Sequence, residues 1–172
     1  MQARHRWESM GLWREYSGHL AVPTLVMGLV GPACFVGLLM AGAMGALPWW
    51  VVAPVQTGLA YGMFIAMHDA THGSIGGGRR FAWLDTVVGA LVAGVFCSSY
   101  AFFRWLHLQH HAHVNHASRD PDIWVAGGSL PMVVVRCFAV IPGYYVHMVR
   151  ADRTSASVRK AQRDTVLGMV PV

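Results

Sequence analysis

Long uncharged apolar stretches alternate with shorter polar and basic segments along the chain. Residues 21–47 contain no charged side chain, and residues 49–67 form a second uncharged stretch. At a helical rise of about 1.5 Å per residue, each stretch is long enough to cross the hydrocarbon core of a bilayer. Pro48 separates them, and Trp49 and Trp50 are typical of a membrane interface. The pattern predicts two transmembrane helices that form a hairpin.

A third apolar stretch, residues 82–103, has a different character. It is long enough to cross a membrane, but Asp85 lies near its beginning, and Arg80 and Arg104 flank its ends. Basic residues at both ends favour a segment that lies in the interface, or enters the membrane and returns to the same side.

The remaining segments complete one all-α integral membrane domain. Residues 1–20, which are mixed in charge and rich in tryptophan, predict a cytoplasmic or interfacial segment, and residues 130–148 predict an interfacial helix. Residues 165–172 resemble the beginning of a further apolar segment that the end of the chain cuts short. Residues 68–124 are expected to form cytoplasmic helices that carry most of the histidines.

Composition supports lipid as the main solvent. The chain of 172 residues is 55% hydrophobic and 12% charged, and its mean hydropathy is +0.42, whereas soluble domains carry about a quarter charged residues. The net charge of +5 lies at the edges of apolar segments, so it indicates membrane orientation and not nucleic-acid binding. The positive-inside rule places the N-terminus and both ends of the hairpin in the cytoplasm. Arginine strongly outnumbers lysine among the basic residues, which favours a bacterial protein of the cytoplasmic membrane.

The cysteines and a glycine run carry no chemistry of their own. Cys34, Cys97 and Cys137 lie in apolar stretches without paired spacing, so we expect small buried side chains and neither disulfides nor a thiolate zinc site. The run at residues 76–78 lacks a following Lys-Ser or Lys-Thr, which predicts a flexible loop and no phosphate cradle.

Histidines are concentrated in two clusters with helical spacing. His68 and His72 are four positions apart, and His107, His110 and His111 repeat the i, i+3, i+4 spacing that places side chains on one helix face. Either cluster alone could be a surface or hydrogen-bonded core group. Together, at the membrane boundary, they predict metal binding.

The ligand type narrows the choice of metal. Imidazole suits iron, zinc, copper and nickel, and no thiolate lies near the clusters. A single zinc ion takes three or four protein ligands, so five histidines point to two ions, and an oxidative membrane setting favours iron. If both clusters share one centre, residues 82–103 must return to the side from which they enter.

Three segments resemble the membrane fatty acid desaturase superfamily, which includes fatty acid desaturases, carotenoid ketolases and related hydroxylases. They are His-Asp-Ala-Thr-His-Gly at residues 68–73, Arg-Trp-Leu-His-Leu-Gln-His-His-Ala-His-Val-Asn at residues 104–115, and Arg-Asp-Pro-Asp-Ile-Trp at residues 119–124. The resemblance covers about residues 60–124.

The resemblance implies a non-haem di-iron centre that uses O₂ to abstract hydrogen from an unactivated C–H bond. It implies that five histidines bind the two iron ions: His68, His72, His107, His110 and His111. It also implies a membrane lipid or acyl substrate and a soluble electron donor similar to ferredoxin, rubredoxin or cytochrome b5. The family has a third histidine box that the sequence does not contain, so we expect a truncated chain that is inactive unless a partner supplies ligands.

Several neighbouring residues have two interpretations. Asp69, Asp120 and Asp122 are candidates to orient the imidazoles, against simpler roles at a polar boundary or in a turn. His113 and His116 are candidate extra ligands, although histidines beside a cluster are more often solvated or hydrogen-bonded.

Three other functions remain open at this point. A lipid or carotenoid hydroxylase or ketolase would use the same ligands, and a non-catalytic remnant of a desaturase would keep the histidines. A membrane zinc hydrolase would use His68 and His72 as ligands and Asp69 as the base. The oligomeric state is open as well.

Overall fold

The computed structural model describes residues 18–77, 81–150 and 156–169. These residues form seven α-helices and one short 3-10 helix, Ile123–Val125. In chain order the α-helices are α1 (Val22–Ala43), α2 (Trp49–Thr71), α3 (Ala82–Val95), α4 (Tyr100–His113), α5 (Leu130–Phe138), α6 (Val140–Arg150) and α7 (Ala156–Met169). The chain divides into two compact units, one up to Cys97 and one from Ser98.

Both predicted spans are present as continuous helices. Of the described helices, α1 with 22 residues and α2 with 23 residues are each long and apolar enough to cross a membrane. The first span ends earlier than predicted, because the chain turns after Ala43 and Gly45 adopts a φ of 71°. The second span extends beyond residue 67 to Thr71 and therefore carries His68 on its last turn. The fold is an all-α membrane protein, as predicted.

The three helices of the first unit pack closely against one another through small residues. A Cβ at Gly28 of α1 would collide with the side chain of Val88 on α3, and one at Gly31 would press on Met63 of α2. Val88 and Met63 are both fully buried. Small residues of this kind let helix backbones approach in lipid, where dispersion contacts provide much of the association energy.

We predict that Gly28→Ala destabilises the protein, while Gly37→Ala on the same helix does not. The new methyl at residue 28 would have to displace the buried Val88, which overpacking data suggest costs about 1–3 kcal/mol. Nothing lies within 4 Å of a Cβ at residue 37. Thermal unfolding of both variants in one detergent checks this, and equal midpoints would contradict the packing described here.

The apolar stretch at residues 82–103 is not one continuous helix. α3 ends at Val95, Cys97 adopts a φ of 50°, and α4 begins after Ser99, whose side chain accepts a hydrogen bond from the amide of Phe102. With 14 residues, α3 is about 21 Å long, shorter than the hydrocarbon core. The side of the membrane on which each end lies stays a prediction.

The second unit is built from α4 to α7. α4 packs on α7, and the ring of Phe102 on α4 contacts the ring of Tyr145 on α6, with centroids 5.1 Å apart. The predicted helix at residues 130–148 is divided at Ala139 into α5 and α6. Residues 165–169 continue α7, which begins at Ala156, so they do not start a separate element.

The expectation of buried cysteines is wrong. Cys34, Cys97 and Cys137 are all exposed. Cys34 lies on α1, whose exposed surface also carries Val26, Val30, Val36 and Leu39. On a membrane-spanning helix such a surface faces lipid, so an apolar residue can be exposed to lipid without being packed inside the protein.

Candidate metal centre

The first histidine pair lies at the C-terminal end of α2. His68 belongs to the last turn, and His72 is the residue that caps the helix. Their ring centroids are 4.8 Å apart. The i, i+4 spacing therefore brings the two imidazoles together as predicted, with His68 half-buried and His72 exposed.

Asp69 contacts the first of these rings. Its Oδ1 lies 3.3 Å from Nδ1 of His68, and its Oδ2 accepts a 3.5 Å hydrogen bond from the hydroxyl of Thr24 on α1. A carboxylate on Nδ1 favours the tautomer that carries the proton there, which leaves Nε2 as the metal-binding atom. The geometry is compatible with the orienting role considered for Asp69.

The loop after this pair is held in place by Asp85, which sequence reasoning did not identify as part of the site. Its carboxylate accepts hydrogen bonds from the backbone amides of Ile75, at 2.9 Å, and Gly76, at 3.3 Å. A Cβ at Gly76 would collide with Phe81, and one at Gly77 with His19. The described part of the glycine run is thus closely packed, contrary to the flexible loop predicted. The available signal in the sequence was a carboxylate within an apolar stretch.

The second pair, His107 and His111, lies on α4. Their Nε2 atoms are 3.0 Å apart, with one ring donating its N–H to the other, and the rings meet edge to face. Two nitrogens bound at about 2.1 Å to one ion, and at right angles, would also be about 3.0 Å apart. The donor set fits a shared metal ion without rearrangement of the helix.

His110 has a different environment from those of His107 and His111. Its Nδ1 lies 2.8 Å from Oδ1 of Asp120 and 3.3 Å from Oδ2 of Asp122. The three side chains place their possible ligand atoms within 4.8 Å of one another. Because Nδ1 faces carboxylates, Nε2 is the nitrogen available to a metal, an arrangement common among metal-binding histidines.

Asp120 is buried, and both of its carboxylate oxygens have hydrogen-bond partners. It is 4% exposed, and besides His110 it accepts hydrogen bonds from the amides of Asn115, at 2.7 Å, and Asp122, at 2.9 Å. Burial raises the pKa of its carboxyl, but the bonds from His110 and the two amides outweigh this and lower the pKa overall. With its oxygens occupied in this way, Asp120 is suited to orient His110 and not to bind a metal directly.

Tyr144 on α6 is a second residue that the sequence analysis missed. Its hydroxyl donates a 2.6 Å hydrogen bond to Oδ1 of Asp122. Burial and the neighbouring carboxylate both raise the pKa of Tyr144, so the phenol stays protonated and remains a donor. A separation of 22 residues leaves no local pattern that could have revealed the contact.

The remaining nearby histidines have other partners. His113 directs Nδ1 to the carbonyl of Gln109, at 3.1 Å, whereas Nδ1 of His116 accepts from the amide of Ser118, at 3.3 Å. In a neutral His116 this bond favours the tautomer that carries its proton on Nε2. The ring of His147 lies 6.2 Å from that of Trp105. Burial lowers the pKa of His147, although the charges of Asp122 and Asp120 act in the opposite direction.

Comparison with known families agrees with this geometry. The model of a family described as fatty acid desaturase matches residues 46–171, which is more than half of the chain. The chain belongs to the fatty acid desaturase family. The resemblance found in the histidine motifs is thereby confirmed, and the matched residues include all of α2 to α7 of this desaturase-family protein. Searches among curated proteins and among solved structures found no match.

Proposed function

We propose that this desaturase-family protein is an O₂-dependent, non-haem di-iron oxidoreductase of membrane lipids, most simply a fatty acyl desaturase. The five proposed iron ligands are His68, His72, His107, His110 and His111. The observation that carries the proposal is the pair of Nε2 atoms of His107 and His111, 3.0 Å apart on one helix. The match of the family model over residues 46–171 supports the reaction class.

The chain's own residues provide binding and orientation. Iron, when bound, supplies the activation of O₂ that removes hydrogen from an unactivated C–H bond. The imidazoles hold the ions, and Asp69, Asp120 and Asp122 orient two of the rings through Nδ1. The apolar helices α1 and α2 anchor the protein where an acyl chain resides. By the positive-inside rule the histidines face the cytoplasm, where a soluble donor delivers electrons.

The alternative functions differ in what they need from these residues. Hydroxylation or ketolation would use the same ligands, since the outcome depends on which substrate carbon lies near the oxidant. A zinc hydrolase would need Asp69 as a base. Both of its carboxylate oxygens already have partners, His68 and Thr24, which favours an orienting role instead.

The proposal is tested by expressing the chain in a bacterial host, purifying it in detergent and measuring both metal content and host lipids. When a partner that supplies the histidines of the third box is expressed in the same host, we expect about two iron ions per chain, as the set of five imidazoles favours, and O₂-dependent unsaturated acyl chains. Hydroxylated or oxidised lipids would indicate an oxygenase on the same ligands. One zinc ion per chain without O₂ dependence would indicate a hydrolase. Iron without any lipid product would indicate a non-catalytic remnant.

A further inference from the structure

A series of side-chain contacts connects α6 to His110 of the second histidine cluster. The hydroxyl of Tyr144 donates to Oδ1 of Asp122 at 2.6 Å, and Oδ2 of the same carboxylate lies 3.3 Å from Nδ1 of His110. Asp122 is therefore held between a helix outside the histidine motif and a histidine inside it.

The two carboxylates beside His110 are fixed by different means. Backbone amides of Asn115 and Asp122 hold Asp120, which is buried. The side chain of Asp122 is 37% exposed, and the Tyr144 hydroxyl is its shortest contact. Without that hydroxyl, the carboxylate of Asp122 could turn towards solvent and leave Nδ1 of His110.

Backbone packing brings Tyr144 to this position. The preceding residue, Gly143, lies directly against the indole of Trp124, and a Cβ there would collide with the ring. α6 is therefore in direct contact with the side chain of Trp124 in the short helix Ile123–Val125. The tyrosine hydroxyl is thereby placed beside Asp122, the residue that precedes this short helix.

We infer that Tyr144 is a positioning residue for the metal centre. It keeps Asp122 beside His110 as a second carboxylate, in addition to Asp120, that favours the proton on Nδ1 and leaves Nε2 for the metal. The inference rests on the proposed function in one respect, since it takes His110 to be a metal ligand. It adds that the docking of α6 contributes to orienting His110 in the second histidine cluster.

The test compares Tyr144→Phe with Tyr145→Phe, a matched loss of a hydroxyl at the next position of the same helix. The ring of Tyr145 contacts Phe102, and a phenylalanine keeps that contact. In metal-free protein with ¹⁵N-labelled histidine, NMR reports the tautomer of His110, whose signal is assigned by its loss in His110→Gln. We expect the Nδ1–H tautomer in the wild type and in Tyr145→Phe, and a smaller population of that tautomer in Tyr144→Phe, where Asp120 alone still faces Nδ1.

Cobalt(II) titration of the same proteins gives a second readout. Loss of an outer partner of a metal-binding histidine typically weakens metal affinity about 10–100-fold. Because Tyr144 acts through Asp122 while Asp120 stays in place, we expect a weakening at the lower end of that range, about tenfold, for Tyr144→Phe and wild-type affinity for Tyr145→Phe. Circular dichroism checks folding, and if Tyr144→Phe does not fold, Asp122→Asn removes the same charged acceptor and decides the question.

Two results would overturn different claims. An unchanged His110 tautomer and unchanged cobalt affinity in folded Tyr144→Phe would overturn the role of Tyr144. A wild-type protein that binds neither cobalt nor iron would overturn the proposed function. A tautomer that still shifted in Tyr144→Phe would then support, on its own, the connection from Tyr144 through Asp122 to His110.

Discussion

Replacing His107 or His111 with alanine is expected to remove metal from the second histidine cluster and to abolish lipid oxidation. Each variant deletes one of two nitrogens that lie 3.0 Å apart and fit a single ion. Losing a ligand should weaken affinity beyond the about 10–100-fold typical of losing an outer partner. Iron content of the purified variants and lipid analysis of the expressing host measure the effect.

His116→Ala is the matched control for these two variants. This histidine follows the same helix, is exposed, and uses Nδ1 to accept a hydrogen bond from Ser118. We expect wild-type iron content and lipid product. Full iron occupancy in either His107→Ala or His111→Ala would refute the assignment of this pair as ligands.

Asp120→Ala is expected to produce the second largest effect, because it acts on both stability and metal binding. The variant leaves the amides of Asn115 and Asp122 without their buried acceptor, at a cost of about 2–3 kcal/mol in the free energy of unfolding. It also removes the 2.8 Å partner of His110, which should weaken cobalt binding about 10–100-fold. Thermal unfolding and cobalt titration in the same detergent measure the two effects separately.

Asp164→Ala is the control for Asp120→Ala, because it removes a carboxylate at the protein surface and not a buried one. Asp164 pairs with Lys160 and Arg163 at the protein surface. Exposed ion pairs contribute little because water and salt screen them, so we expect almost no change in unfolding temperature or cobalt binding. If Asp120→Ala were as stable as Asp164→Ala, the buried network around Asp120 would have no energetic role.

The spans were predictable because length and the absence of charge are sufficient to identify a transmembrane helix. The ends of these helices were not predictable, because the hydropathy of the sequence does not change where the backbone turns. Residues 44–47 are apolar in the sequence, yet the helix ends at Ala43 and Gly45 takes a positive φ. The division of residues 130–148 at Ala139 has no composition signal either.

Some contacts in the candidate site follow from local sequence spacing, whereas others depend on the tertiary fold. Helical spacing alone predicted the pairing of His68 with His72 and of His107 with His111, because residues four apart are neighbours on a helix. The contact of Asp120 with His110 depends on how the chain folds back after α4. The bonds made by Asp85 and Tyr144 join segments 9 to 22 residues apart, and only the folded chain reveals them.

Both histidine clusters occupy the carboxyl ends of helices, which has an electrostatic consequence. His68 lies in the last turn of α2 and His72 caps it, while His110 and His111 lie in the last turn of α4. The aligned peptide dipoles of a helix give its carboxyl end about half a negative elementary charge. A cation beside such an end gains about 0.3–1 kcal/mol. Each helix therefore attracts metal through its backbone, and this attraction persists in every side-chain variant proposed above.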